Sequence, residues 1–223
     1  MKLGKKLLSL LTVLCLTLSL FPTMALADGD VGVGSTGSPA TSVSVGSTTL
    51  SVGDYLTSNG TVPTSEPDED TGYIHFSTNG QLTLNNYTGS SKISITGNLT
   101  INLVGINTIT TSGNNSIYSN GALTITSASK GSLTAENLTP GSVQTTIYST
   151  SDITITGNAT VTAKINGTAQ AINSHSENGT ITIADHATVT ATNTNNTTST
   201  ENGIAILAGN RTNGSGGTIE VKD

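Results

Sequence analysis

The 223-residue chain contains one cysteine, no tryptophan and few aromatic side chains, which make up 3% of its residues. The cysteine, Cys15, lies in a segment that we expect to be removed on export, so the mature protein would have neither a disulfide nor a thiolate metal site. Basic residues are also few, eight against 14 acidic ones. Because phosphate binding requires clustered lysine and arginine, this composition argues against a nucleic-acid partner.

Residues 1–27 have the pattern of a signal peptide. Three lysines precede an apolar run from Leu7 to Leu20, and an Ala-Leu-Ala tripeptide precedes a predicted cut at Asp28. The apolar run is short for a membrane span, and no later stretch reaches the required length of about twenty apolar residues. We therefore expect a secreted or cell-surface protein with no membrane insertion after signal removal. The mature chain keeps five basic and all 14 acidic residues, for a net charge of −9.

Threonine, serine, asparagine and glycine dominate the remainder, but apolar residues recur in short alternating runs that repeat along the chain. Four units can be aligned, each with three such runs. The first runs are Ile93–Thr96, Leu123–Thr126, Ile153–Thr156 and Ile181–Ala184. The second runs begin at Leu99, Leu133, Ala159 and Ala187, and after a variable loop the third runs begin at Ile117, Ile147, Ile172 and Ile204.

This period of two predicts strands with one buried face. Three short strands in each unit of about 25 to 30 residues are typical of a coil of a right-handed parallel β-helix, a solenoid whose coils stack at the strand spacing of about 4.8 Å. The alignment predicts one inward ladder of Ile95, Ile125, Ile155 and Ile183 and another of Leu99, Leu133, Ala159 and Ala187. An antiparallel sandwich would also have short strands and turns, but it would not predict equivalent positions in successive units.

The predicted domain organisation has four parts. Residues 1–27 are the signal peptide, residues 28–42 a Gly/Ser/Thr-rich linker, and residues 43–80 a β-rich segment that caps the first coil. Residues 81–223 form the coils. The last residues repeat a first-strand pattern without the polar closing cap that solenoids need. We therefore expect a partner, or further coils of a longer chain, at that end.

Several segments in this order resemble a known family of proteins. They are "VGSTTLSVGDYLTSNG", "LTLNNYTG", "GNLTINL", "IYSNGALTIT" and "GSLTA". Together they resemble the secreted or surface β-helix proteins of Gram-positive anaerobes that carry the label carbohydrate-binding domain. The resemblance spans residue 43 to the end. It implies a β-helix shaped like the pectate lyases that binds plant or cell-wall polysaccharide, sometimes with calcium, and without established catalysis.

The chemistry of a polysaccharide lyase or hydrolase is weakly represented. Such enzymes need clustered carboxylates, with a nearby base in the lyases. In our alignment Glu136 lies beside Asn102, Thr162 and Thr190, so no acidic ladder forms, and we lean against an enzyme. His186 aligns with the corner residues Asn98 and Asn158, as expected for a solvated turn.

An acidic run offers a possible calcium site. Asp68, Glu69 and Asp70 could supply the hard oxygen ligands that this ion prefers. The run lacks the alternating spacing of an EF-hand loop, and acidic runs are usually solvated. Calcium is the one cofactor that the sequence suggests.

The "IYS" repeat supplies the candidate ligand-binding residues. Tyr118 and Tyr148 occupy the outward position of the third strand, one coil apart, and aromatic rings on a polar sheet can receive sugar rings. Ser119, Asn120 and Ser149 would offer hydroxyl and amide partners. Alternatively, two stacked tyrosines could simply stabilise the sheet.

Three functions remain open. The favoured one is a non-catalytic module that binds extracellular polysaccharide. The second is a structural or adhesive spacer within a larger surface protein. The third is ice binding, because Thr-x-Thr pairs recur on the outward face, but Ser94, Glu136 and Ala184 interrupt the ladders of the alignment.

Overall fold

The computed structural model describes residues 37–68, 70–195, 203–210 and 215–223. These residues form strands and no helix, and the chain folds as a parallel β-helix, which confirms the predicted fold class. The alternation of β-branched apolar residues with threonine explains the choice of strand, because such side chains suit a pleated surface with one buried face.

Three sheets surround the core, and we number them in the order in which each coil passes through them. Sheet 1 contains β3 (Tyr55–Thr57), β4 (Tyr73–Thr78), β5 (Gln81–Asn85), β8 (Leu99–Val104), β11 (Leu123–Ser127), β14 (Ile153–Gly157), β17 (Thr180–Ile183) and β20 (Thr218–Val221). Sheet 2 contains β6 (Thr88–Gly89), β9 (Ile106–Thr111), β12 (Ser132–Ser142), β15 (Thr160–Gly167) and β18 (Thr188–Asn193). Sheet 3 contains β1 (Val43–Val45), β2 (Thr48–Leu50), β7 (Ile93–Thr96), β10 (Ile117–Asn120), β13 (Ile147–Ser149), β16 (Ile172–Ser174) and β19 (Ile206–Ala208).

Each coil passes once through sheets 1, 2 and 3 and then stacks in parallel on the coil before it. One continuous apolar core fills the space between the sheets. In sheet 1, Ile125 pairs with Ile101 on one side and Ile155 on the other, and all three side chains are fully buried. In sheet 3, Ile117 pairs with Ile147, which confirms the predicted stacking of the two "IYS" repeats.

The N-terminal strands cover the first coil by extending two of the three sheets. β1 pairs antiparallel with both β2 and β7 in sheet 3, while β3, β4 and β5 pair antiparallel with one another in sheet 1. Leu50, Ile74 and Phe76 from these strands are fully buried in the core. The run that begins at Gln81 forms β5 and pairs in parallel with β8, and the first coil runs from it through β6 and β7, one strand in each sheet.

The predicted register of the first aligned coil is wrong. The run Ile93–Thr96 is a strand of sheet 3, where Ile95 pairs with Ser119, so the residue beside Ile125 is Ile101 and not Ile95. The run that begins at Leu99 is correspondingly a strand of sheet 1, where Leu99 pairs with Leu123. The cause is β9, because the segment that the alignment treats as part of a variable loop is a strand of sheet 2.

The second predicted ladder is also wrong, by two residues in each later coil. Leu133 pairs with Val161, which pairs in turn with Val189, so Ala159 and Ala187 precede their strands. A shift of two residues keeps the same face inward, so the buried side of these strands is still the predicted one. The third ladder continues from Ile172 to Ile206, and not to Ile204.

The corner between sheets 1 and 2 is built around one residue of positive φ in each coil. These residues are Asn86, Gly105, Lys130, Gly157 and Asp185, with φ between 48° and 66°. Glycine adopts this conformation without a steric penalty, and asparagine and aspartate tolerate it better than other residues do. His186 donates its backbone N–H to Gly157 at the same corner, whereas Asn98 lies at the corner between sheets 3 and 1.

Candidate functional site

Two tyrosines stack on the outer face of sheet 3. Tyr118 in β10 and Tyr148 in β13 are partners in register, with ring centroids 5.4 Å apart and ring planes 7° from parallel. Both side chains are partly exposed. The stacking follows from the sequence, because the same Ile-Tyr-Ser tripeptide begins the strand in two successive coils.

Lys92 and His175 extend this stack by one group on each side. The Lys92 Nζ atom lies 5.6 Å from the centroid of the Tyr118 ring, which is within reach of a cation–π interaction. The His175 ring lies 5.5 Å from that of Tyr148, tilted by 34°. We call the four residues Lys92, Tyr118, Tyr148 and His175 the tyrosine strip.

The geometry of the strip determines which parts of the tyrosines a ligand can reach. Parallel rings whose centroids are 5.4 Å apart overlap in part, so each ring covers some of the face of the other. Lys92 and His175 occupy the two outer faces. The strip therefore presents mainly ring edges, two phenol hydroxyls, an ammonium group and an imidazole, and less of an open apolar platform than we expected from the sequence.

The surroundings of Tyr148 favour the protonated form of its phenol, which is also the form of an unperturbed tyrosine at neutral pH. Partial burial, and secondarily the proximity of Tyr118, raise the pKa of Tyr148 above its ordinary value. At neutral pH its hydroxyl is therefore both a donor and an acceptor of hydrogen bonds. A group of this kind suits a sugar hydroxyl, which has the same dual character.

Two of the predicted binding residues do not lie on this face. Ser119 and Ser149 point inward and are fully buried. Their hydroxyls both donate to the carbonyl oxygen of Gly121, at 2.9 and 2.7 Å, and so stabilise the corner between sheets 3 and 1. Asn120 is exposed, as expected, and its Oδ1 atom accepts a hydrogen bond of 3.1 Å from the hydroxyl of Thr150.

The tyrosine ladder ends at the next coil. Tyr148 pairs with Asn173, and Asn173 pairs with Leu207. The alignment begins the last third run at Ile204 and therefore predicts Ala205 at the position of Leu207. Asn173 is only 4% exposed. His175 therefore reaches Tyr148 from just beyond the end of β16, and Lys92 reaches Tyr118 from just before the start of β7. The alternation of inward and outward residues describes positions within a strand, and these two residues lie outside the strands. The sequence pattern therefore predicts neither Lys92 nor His175 as a member of the strip.

A polar groove adjoins the strip at Lys92. Its volume is about 480 Å³, and Ser91, Lys92, Thr110 and Asn114 are among its lining residues. The groove lies where β7 of sheet 3 meets β9 of sheet 2. It places more hydroxyl and amide groups next to the cationic end of the strip.

A second aromatic group lies on the N-terminal strands, away from the strip. The rings of Tyr55 and His75 stack at 3.9 Å, and Tyr73 meets Tyr55 edge-on at 5.5 Å. The hydroxyl of Tyr73 donates to Glu66 Oε1 at 3.1 Å. Burial lowers the pKa of His75, and the carboxylate of Glu66 opposes that shift.

Two carboxylates of the coils, those of Glu136 and Asp185, are held in structural contacts. Glu136 forms an ion pair of 2.8 Å with Lys164, its partner in the next coil, and does not align with Asn102, Thr162 or Thr190. Asp185 accepts hydrogen bonds from the hydroxyl of Thr156 and the backbone N–H of Gly157. Both bonds lower the pKa of Asp185, and the bond from Thr156 contributes more than the bond from Gly157.

The predicted calcium site is only partly described. Asp68 and Asp70 are exposed, while Glu69 lies outside the described residues. Among the residues that the structure describes, no group of three or more histidine, cysteine or acidic side chains could hold a metal ion. The predicted signal peptide, residues 1–27, also lies outside the described residues. In the described part of the chain, no helix has the length and apolar character needed to span a membrane.

No protein family, curated protein or solved structure matches this chain.

Proposed function

We propose that the protein is a non-catalytic module that binds extracellular polysaccharide through the tyrosine strip. The observation that supports this proposal is the alignment of four polar or aromatic groups along the solenoid axis, on one face and in successive coils. The resemblance to carbohydrate-binding β-helix proteins points to the same ligand class, and the predicted signal peptide would bring the module to the cell exterior.

The spacing of the strip suits a polymer that lies parallel to the solenoid axis. Successive coils are about 4.8 Å apart, which is close to the length of one sugar residue in an extended chain. Tyr118 and Tyr148 would therefore meet equivalent hydroxyls of consecutive sugars. A shallow surface of this kind suits a repeating polymer better than a small molecule, which prefers a concave pocket.

The charge of the chain favours a neutral polymer. The mature chain would have a net charge of −9, which repels acidic polysaccharides such as pectate unless calcium bridges the carboxylates. Lys92 supplies the one ammonium group of the strip, and an ammonium group can donate hydrogen bonds to neutral hydroxyls. We therefore expect neutral glucans to bind more tightly than pectate.

The experiment is a pull-down of the full chain on insoluble neutral glucans and on calcium pectate gel, with and without a chelator. The Tyr118→Ala/Tyr148→Ala variant should lose most of its binding. Tyr55→Ala is the matched control, because it removes a partly exposed, stacked tyrosine from a different part of the fold. It should bind as the wild type does.

The possible outcomes separate the remaining functions. Binding that persists unchanged in the double variant would place the site elsewhere on the molecule. If the wild type bound without chelator and lost its binding when chelator was added, the calcium-dependent alternative, in which Asp68 and Asp70 take part, would be favoured. If the full chain bound none of the polymers, the spacer would be the better interpretation.

A further inference from the structure

The outer face of sheet 2 carries two adjacent ladders of small hydroxyl side chains. In parallel strands in register, Thr134 pairs with Thr108 and Thr162, and Thr162 pairs with Thr190. Two residues earlier, Ser132, Thr160 and Thr188 form the neighbouring ladder on β12, β15 and β18, and on β9 the equivalent position holds the exposed Ile106. We call the seven serine and threonine residues of the two ladders the threonine face.

The observed register removes the interruptions that weakened this pattern in the sequence. Ser94 belongs to sheet 3, where it pairs with Tyr118. Glu136 lies in the next ladder of sheet 2, where it forms its ion pair with Lys164. Ala184 follows β17 in sheet 1. None of the three lies within the threonine face.

The threonine face is a regular grid of hydroxyl and methyl groups. Neighbouring strands are about 4.8 Å apart, and residues on the same side of a strand are about 6.6 Å apart. The β-branched side chain of threonine has few rotamers, so the grid is stiff. Within the described part of the chain, none of the seven hydroxyls donates a hydrogen bond to another protein group or accepts one from it. All seven are at least partly exposed, and Thr160, Thr188 and Thr190 are the most exposed of them.

We propose that the threonine face binds ice. Its unpartnered hydroxyls can hold water molecules at two regular spacings that are close to the distances between repeating oxygen positions on ice surfaces. The methyl groups between them limit the competing orientations of that water. No charged or aromatic side chain lies within the two ladders, so the face lacks the groups that the tyrosine strip offers to a sugar. This inference does not depend on the proposed polysaccharide site.

Sheet 1 supplies a matched comparison surface. Thr100, Thr124, Thr154 and Thr182 also form a ladder there, but its last member pairs with the charged Glu220. Beside this ladder, the hydroxyl of Thr156 is bound by the carboxylate of Asp185. The charges and the occupied hydroxyl make this second face a poorer match to an ice surface.

The test measures thermal hysteresis and the shaping of ice crystals by the purified full chain. Wild type should depress the freezing point below the melting point and produce faceted crystals. Thr162→Tyr, at the centre of the threonine face, should abolish both effects, while Thr154→Tyr on sheet 1 should retain them. Thr162→Val keeps the shape of the side chain but removes the hydroxyl, and it should reduce the hysteresis less than the tyrosine variant does.

Three results would overturn the proposal. These are the absence of hysteresis and faceting in wild type, equal loss in the Thr162→Tyr and Thr154→Tyr variants, and full activity of Thr162→Tyr. Thermal unfolding followed by circular dichroism identifies a variant that has lost its fold. If Thr162→Tyr fails to fold, Thr162→Val replaces it, and unchanged activity of a folded Thr162→Val variant would then refute the role of the hydroxyl grid.

Discussion

Replacement of Ile125 tests the β-helix core most directly. Its side chain is fully buried in sheet 1 between Ile101 and Ile155. Truncation of a buried isoleucine to alanine costs about 2–5 kcal/mol, and to valine about 0.5–1.5 kcal/mol. In Ile125→Asp the cost rises further, because the cavity is combined with a buried carboxylate that has no partner.

The position of Ile125 in a middle coil increases the effect on the fold. A solenoid is stabilised by contacts between neighbouring coils, so a damaged middle coil weakens the coils on both sides of it. Natural domains are stable by only about 5–15 kcal/mol. We therefore expect Ile125→Val to fold with a small loss of stability, Ile125→Ala to fold with a large one, and Ile125→Asp to be unfolded.

The assay is urea unfolding monitored by far-UV circular dichroism. Thr124→Asp is the matched control, because the adjacent residue in β11 faces outward and surface substitutions usually change stability by no more than about 0.5 kcal/mol. An Ile125→Asp variant as stable as wild type would refute the inward position of this ladder. So would a Thr124→Asp variant that loses as much stability as Ile125→Ala does.

Two further predictions concern register and pH. With the single native cysteine replaced by serine, Thr126→Cys/Asn102→Cys should oxidise to a disulfide detectable by peptide mapping, because paired Cα atoms about 4.8 Å apart allow the bond. Thr126→Cys/Thr96→Cys, the pair that the sequence alignment favours, should not form a disulfide. If this second pair oxidised and the first did not, the register of the sequence alignment would be correct. The lowered pKa of Asp185 means that its bonds stabilise the fold at pH values above its unfolded pKa and are lost as the pH falls through its folded pKa. The urea midpoint of wild type should therefore exceed that of Asp185→Asn near neutral pH and approach it in acid, and a constant difference at all pH values would count against this reasoning.

The fold class could be predicted from the sequence because its signal is repeated in several coils. Strict alternation identifies the buried face of each strand, and equivalent positions in successive units favour a solenoid over a sandwich. The pairing of Ile117 with Ile147 followed from a repeated tripeptide that has no close competitor. Where the motif is distinctive, the alignment of coils is correct.

The register of the first coil could not be predicted, because alternating strands resemble one another. Ile93–Thr96 and Leu123–Thr126 have the same pattern, so sequence similarity favoured their pairing although they belong to different sheets. Only the recognition of Ile106–Thr111 as a strand would have supplied the missing side of that coil. The errors of two residues at Ala159 and Ile204 had little effect, since a shift of two keeps the same face inward.

The same parity rule would have corrected one of the site predictions. If Ile117 faces inward and Tyr118 outward, then Ser119 must face inward, as must Ser149 in the next coil. Both serines are fully buried. The parity rule does not place Lys92 and His175, because they lie outside the strands. Their contacts with the tyrosines depend on the path of the chain as it enters or leaves sheet 3.

The two proposed surfaces can be tested separately because the fold divides inward from outward residues. Stability resides in the buried ladders of isoleucine, leucine, valine and alanine, whereas the tyrosine strip and the threonine face lie on the outer sides of sheets 3 and 2. Outward substitutions such as Tyr118→Ala and Thr162→Val should therefore change unfolding free energy little, so a loss of binding in these variants reports on the surface. Since each change alters only one sheet, loss of polysaccharide binding in the tyrosine variants should leave ice shaping intact, and loss of ice shaping in the threonine variants should leave polysaccharide binding intact. If either substitution abolished both activities, the two surfaces could not be independent sites.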